Sequence, residues 1–335
     1  MSKALKIGLA VLLVLVAVAP PLLFNEYVQQ ILILTITYAI LGLAFAFTLR
    51  VGLPRFDIAA WWAVGAYTTA MLMWKADMSF WLTIPIGGLV AVFLGYVAFS
   101  VLIPRGMMVF LMFGMVLTLA FQQLFGSLQY FGGWGGTLPV TPPSIGPLDF
   151  AYKPALYYLG LVLLAFNLLV YWALYNSKIG RAWNAIGSSL TLAGSMGIDV
   201  VRYRIANTLI SNFFAAVAGS YFTVCTLVAV PTAFGFGNSV YVMMYAVVGG
   251  LSHSLAGPII GSLVITFLPE YLRVAKEWEP VITGVAIILI IVFLPSGVLG
   301  LLDRWRGKPS APWTRLISIK RRIRTPAESP EVREE

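Results

Sequence analysis

Charge is scarce in this chain. Of its 335 residues only 10% are Asp, Glu, Lys or Arg, and 60% are hydrophobic; a soluble domain carries about 25% charged residues. Too few ionic side chains remain to cover a water-facing surface, which excludes a soluble globular protein. Cysteine occurs once, at Cys225 in an apolar run, so no intrachain disulfide can form and a packed core residue is expected. Histidine also occurs once, at His253, and a single imidazole with a single thiol cannot build a Cys/His metal site. Nowhere does G-x-x-x-x-G-K-[ST] occur, the loop that cradles nucleotide phosphates; the glycine-rich "GGLSHSLAGP" lacks its lysine. His253 has no acid close in sequence, and Asp57, Asp77 and Asp149 fall in separate predicted loops. Nothing here assembles a catalytic site, so an enzyme is not expected and no cofactor is expected on this chain.

Long apolar runs are what the chain has instead. "LKIGLAVLLVLVAVAPPLLF", "IPIGGLVAVFLGYVAFSVLI" and "VITGVAIILIIVFLPSGVLGLL" each reach the roughly 20 residues that span a bilayer as a helix. The fold class is all-α, a polytopic transmembrane bundle. About ten spans are predicted, over 4–24, 28–49, 57–74, 80–103, 107–128, 155–175, 205–228, 237–250, 257–272 and 280–302, two of them short or broken. Lys3 and Lys6 before the first run resemble a signal peptide, but Pro20 and Pro21 follow "AVA", a poor cleavage context, so a retained helix is expected. With Lys3 in the cytoplasm and strict alternation, 18 of the 22 lysines and arginines fall inside; Lys75, Lys153, Arg273 and Lys276 fall outside. That bias fits the positive-inside rule and puts both termini in the cytoplasm. A transmembrane domain over 1–302 is expected to be followed by a basic cytoplasmic tail over 303–335, with a short interfacial helix near Trp313–Ile319. The tail's cations adjoin a membrane helix, so lipid headgroups account for them and nucleic acid does not.

Two loops stand out. The outer loop over 129–154 is rich in Gly and Pro, which predicts an irregular but ordered connection. Its aromatics, Tyr130, Phe131 and Trp134, either sit at the membrane interface or line the outer mouth of a pathway. The inner segment "SKIGRAWNAIGSSLTLAGSMGIDVVRYR" is half-amphipathic. Trp183, Ile186, Leu190, Ala193 and Gly197 recur at steps of three and four, one face of a helix interrupted by Gly187, Ser188, Ser189 and Gly194. Such a face either lies flat on the inner leaflet or docks a soluble subunit.

"GRAWNAIGSSLTLAGSMGIDVVRYR" resembles the cytoplasmic coupling loop of ABC importer permeases of the branched-chain amino acid type, the LivM/LivH group. Gly180, Arg181, Ala182, Ala185, Ile186, Ala193, Gly197, Ile198, Arg202 and Tyr203 match that pattern in register. "GAYTTAML" from Gly65, "VVGGLSHSLAGPIIGSLV" and "FLPSGVLGL" resemble three further blocks of the family, in order. The resemblance implies a permease subunit of an importer in the bacterial inner membrane, for branched-chain amino acids or related small polar solutes. It also implies a second homologous permease, two cytoplasmic ATPases carrying ATP-Mg, and a periplasmic solute-binding protein. Coupling would then run through Gly180, Arg181, Ala182, Ile186, Leu190, Ala193, Gly197 and Arg202.

This chain departs from the family in two places. Ser188, Ser189, Leu190 and Gly194 stand where acidic residues are usual, so docking is expected to rest on the apolar stripe plus Arg181. Arg55-Phe56-Asp57-Ile58 replaces Ser-Leu-Gly-His at a helix entry; Asp57 caps that helix, pairs with Arg55, or recognises a charged solute with it. Candidate pathway residues are therefore Arg55, Asp57, Trp61, Trp134 and His253, the last either a loop residue at the cytoplasmic surface or a gate. Gly65, Gly249, Gly250, Gly257 and Gly261 are expected to let helices pack closely. Asp57 and His253 would also serve the rival reading, a transporter driven by an ion gradient.

Overall fold

The computed structural model describes residues 25–137, 140, 142–145, 148–150, 152–250, 255–272, 278–293 and 297–300. Eleven helices of six residues or more lie among them: α1 (Glu26–Leu49), α2 (Ile58–Ala76), α3 (Phe80–Leu102), α4 (Met107–Ser127), α5 (Lys153–Asn176), α6 (Lys178–Ser188), α7 (Leu190–Ser195), α8 (Val200–Thr226), α9 (Phe236–Gly249), α10 (Ala256–Leu272) and α11 (Glu279–Phe293). The only strand pairing described is a two-residue antiparallel ladder, Ser144–Ile145 (β1) with Leu148–Asp149 (β2). Most predicted spans lie within a few residues of a helix: 28–49 became Glu26–Leu49 and 107–128 became Met107–Ser127. The expected span over 4–24, His253 and the tail over 303–335 lie outside the described residues.

Five helices among the described residues are long and apolar enough to cross a membrane: α1, α3, α4, α5 and α8. Of these, α1 and α8 are 78% buried over their most apolar windows, and α4 only 22%. The interior therefore belongs to α1 and α8, with α4 on the rim. α2 falls short on hydropathy because it spends its length on Trp61, Trp62, Tyr67 and threonines. It tolerates this composition by lying inside the bundle, where neighbours bond Trp61, Tyr67 and Thr69, while Trp62 Nε1 is buried without a partner among the described residues.

α2 and α8 run parallel through the centre. Contacts between them climb together: Arg55 meets Ser211, Thr69 donates to Ser220 (2.8 Å) and Thr223 to the Ala66 carbonyl (3.3 Å). A Cβ on Gly65 would overlap the Ala216 carbonyl, so glycine alone permits this approach. At one end of the bundle Tyr27, at the start of α1, hydrogen-bonds Glu270 near the end of α10.

α8 ends at Thr226, where Leu227 turns left-handed (φ 60°). The chain then re-enters the bundle alongside α2. Ala229 lies beneath the Tyr67 hydroxyl (3.2 Å), Phe234 packs on Trp62 and Tyr67, and Phe236 reaches Phe56. Irregular backbone inside a membrane bundle needs protein partners. Here the outer loop supplies them: Thr137 N–H donates to the Ala229 carbonyl (3.0 Å), the Thr137 hydroxyl accepts from Ala229 N–H (3.0 Å), and Val140 N–H donates to Leu227 (2.8 Å). Trp134 folds over Gly126 of α4, where a Cβ would stand 2.6 Å from its ring, and stays 50% exposed. The loop is thus a lid over the re-entrant segment.

Candidate functional site

The inner segment is two helices and not the single amphipathic one expected. Ser177 caps α6 by accepting from Gly180 N–H, and Ser189 leaves helical geometry and caps α7 by accepting from Leu192 N–H. Both serines belong to the residue types that favour caps over helix interiors, which puts the elbow at Ser189. The stripe divides accordingly. Trp183, Ile186 and Ala193 are buried against the chain's own helices, Leu190 is exposed, and Gly197 leaves the elbow at φ 79°. Ile186 therefore belongs to the fold rather than to an outward docking face. The exposed apolar residues are instead Ile179, Leu190, Leu192 and Met196. Gly180 and Ala182 lie in α6, Gly180 packed under the Leu174 and Tyr175 carbonyls; Arg181 and Arg202 project outward, Arg202 paired with Asp199 at 3.0 Å.

The buried side of the elbow is keyed to the transmembrane helices. Trp183 Nε1 donates to the Tyr203 carbonyl in α8 (2.9 Å) and sets its ring edge-on to Phe47 of α1 (5.1 Å). Phe47 stacks in turn on Tyr171 of α5 (4.2 Å). Buried Arg204 donates to the Val51 carbonyl (3.1 Å), fastening the start of α8 to the turn after α1. In that turn burial lowers the Arg50 pKa from its ordinary value, and its guanidinium lies 4.0 Å over the Tyr175 ring.

Arg55 and Asp57 form a bidentate pair at 2.8 and 2.6 Å, both side chains fully buried. The cap reading is corrected: Asp57 occupies the N-cap of α2 but its carboxylate caps no N–H, being taken by Arg55 and by Trp61 Nε1 (2.6 Å). Arg55 also donates to Asn212 Oδ1 (2.6 Å) and Ser211 Oγ (3.2 Å), and Ser211 donates to the Ala44 carbonyl (2.8 Å). The cluster thereby ties α1, α2 and α8 together, with Gly114 of α4 against the Asp57 side chain. Trp61 is part of that network and fully buried, while Trp134 lies apart in the outer loop, so the proposed pathway residues do not share one site. Gly249, Gly257 and Gly261 interlock α9 and α10: a Cβ on Gly249 would overlap the Gly257 carbonyl, and one on Gly261 the Tyr245 carbonyl. Gly250 ends α9 at φ 109°.

Sequence reasoning missed Ser211, Asn212, Arg204 and Phe47. A signal existed for the first two, since polar residues within an otherwise apolar span imply a partner. Asn167, Asn207 and the Tyr171 hydroxyl are further buried polar groups, and they have no hydrogen-bond partner among the described residues.

Five helices long and apolar enough to cross a membrane, with polar groups gathered between them, define a multi-pass membrane protein. Over residues 27–294 the chain matches the family described as the branched-chain amino acid transport system permease component. It belongs to that family and is a multi-pass membrane permease. It is 29% identical over 322 residues to the high-affinity branched-chain amino acid transport system permease protein LivM of Escherichia coli (strain K12), covering 88% of this chain and 75% of that one. It is 27% identical over 283 residues to the probable branched-chain amino acid transport permease protein LivH of Methanocaldococcus jannaschii, 78% of this chain and 87% of the relative. The autoinducer 2 import system permease protein LsrC of Yersinia pseudotuberculosis serotype O:1b is 27% identical over 171 residues, 48% of this chain and 47% of its own. No solved structure matches.

Proposed function

We propose that this chain is the transmembrane permease subunit of an ATP-binding-cassette importer in the bacterial inner membrane. Its solutes are branched-chain amino acids or related small polar molecules; relatives named for branched-chain amino acids and for autoinducer 2 support that breadth. It works with a second homologous permease, two cytoplasmic ATPases that hold ATP-Mg, and a periplasmic solute-binding protein. About ten spans cross the membrane, with both termini in the cytoplasm. The observation that carries the reading is the elbow of α6 and α7. One side is locked to α1 and α8 through Trp183, and beyond the break at Ser189 the elbow presents Leu190, Leu192 and Met196 without cover.

Such an elbow acts as a lever. An ATPase gripping the exposed ridge moves α6, and Trp183 passes the movement to Phe47 of α1 and to the start of α8. Those two helices meet again at Ser211, where the Arg55–Asp57 cluster joins them to α2. Closure and reopening of the ATPase pair would then shift this interior group between outward- and inward-facing arrangements.

The test is uptake and ATP hydrolysis in proteoliposomes holding the full transporter. Leu192→Asp with Met196→Asp is expected to abolish uptake while the permease stays folded and inserted. Undiminished uptake would reject the lever. An ion-gradient mechanism through Asp57 and His253 is the rival. Asp57 is fully buried and both its oxygens are engaged by Arg55 and Trp61, which favours a structural role for it over that reading. Uptake that survives an uncoupler but stops with an ATPase phosphate-loop mutant separates the two.

A further inference from the structure

The elbow's exposed side carries charge of one sign. Lys178 and Arg181 stand on the first turn of α6; both are exposed, and neither forms an ion pair among the described residues. Within 177–204 the only acid is Asp199. It is already engaged: one oxygen lies 3.0 Å from Arg202 Nε and the other accepts from Arg202 N–H at 3.1 Å. The same segment also leaves Leu190, Leu192 and Met196 uncovered, 45%, 63% and 74% exposed.

A helix lying on lipid would turn such a ridge toward the membrane. Here the opposite side of the elbow, with Trp183, Ile186 and Ala193, is pressed onto the bundle end, so the ridge faces away from the transmembrane helices. We infer that the groove receiving this elbow on the ATPase has an apolar floor and an acidic rim, the membrane subunit supplying the cations and the ATPase the carboxylates. This rests on the docking role proposed above and adds the partner's chemistry to it. Like charge on the rim would hold the two surfaces apart, so the pairing also selects among ATPases.

The experiment follows retention of co-expressed ATPase on the full-length permease in nanodiscs, from about 0.05 M to about 0.5 M salt, a range over which exposed charge pairs become screened. Wild-type retention is expected to fall as salt rises. Lys178→Gln with Arg181→Gln is expected to bind roughly tenfold more weakly at low salt and to lose the salt dependence, as for two exposed ion pairs removed. Equal or tighter binding by this variant would overturn the acidic rim. A loss seen only in nanodiscs of anionic lipid, and not in neutral ones, would assign the cations to headgroups and overturn it as well. Leu192→Asp with Met196→Asp forms the control arm. If the ATPase remains bound to that variant, the docking role itself fails, whatever the charge variants show.

Discussion

Replacing Arg55 with Met tests whether the buried cluster is a structural staple. Arg55 makes four described hydrogen bonds, two to Asp57 and one each to Asn212 and Ser211. Methionine keeps much of the volume but leaves the Asp57 carboxylate in a dry interior with only Trp61 Nε1 as donor. Removing one member of a buried ion pair costs about 3–5 kcal/mol, chiefly because the other charge is stranded. Asp57→Leu strands the guanidinium and should cost about the same. The double variant strands neither charge. It loses only the partners of Asn212 Oδ1 and Trp61 Nε1, since Ser211 keeps its bond to Ala44, at about 1–3 kcal/mol for each such buried group at most. The double variant should therefore be far more stable than the sum of the singles, by several kcal/mol. Reversible denaturant titration in mixed micelles, followed by tryptophan fluorescence and helical circular dichroism, measures the cycle. Additive losses, or a loss below about 1 kcal/mol for Arg55→Met, would refute the staple.

Ile186→Asp and Leu192→Asp should separate fold from docking: the first puts a carboxylate into a site 1% exposed and lowers the yield of folded protein, while the second leaves stability unchanged and lowers ATPase retention. Gly65→Val should destabilise by at least about 1–3 kcal/mol, because the new side chain meets the Ala216 backbone and neither central helix can give way; thermal denaturation in detergent reads it. Thr137→Ala leaves the Ala229 N–H without its acceptor, about 1–3 kcal/mol locally, and faster proteolysis of the outer loop should report the loosened lid. Trp183→Phe keeps the ring near Phe47 but deletes the bond to the Tyr203 carbonyl. Stability should fall by only about 1 kcal/mol, while transport per ATP hydrolysed falls further.

Hydrophobic run length made most of the helices legible, since a span must be apolar for about 20 residues whatever it packs against. α2 shows the limit of that signal. Its residues were placed as a span, yet its hydropathy is modest because it faces neighbours and not lipid. Periodicity misled at the elbow. Trp183, Ile186, Leu190, Ala193 and Gly197 keep helical spacing across Ser189, but the chain breaks there and the residues on either side face different surroundings. The loop's "GSSL" held the corrective hint, for serines favour caps. For Arg55 and Asp57 the sequence leaves a cap, a mutual pair and solute recognition all open, and the bidentate contact shows that they pair. Their partners Ser211 and Asn212 lie more than 150 residues on, beyond any local pattern.

Composition and local spacing alone settled that this is a helical membrane protein, roughly where its helices run, and that no phosphate loop lies in the chain, for these depend on each segment's own solvent preference. Tertiary structure alone decided which apolar face is buried, which charged groups are quenched by distant neighbours, and how the outer loop satisfies the re-entrant backbone over 227–235. Those outcomes depend on which surfaces meet, and a hydrogen bond or steric overlap between remote residues leaves no periodic trace in the sequence.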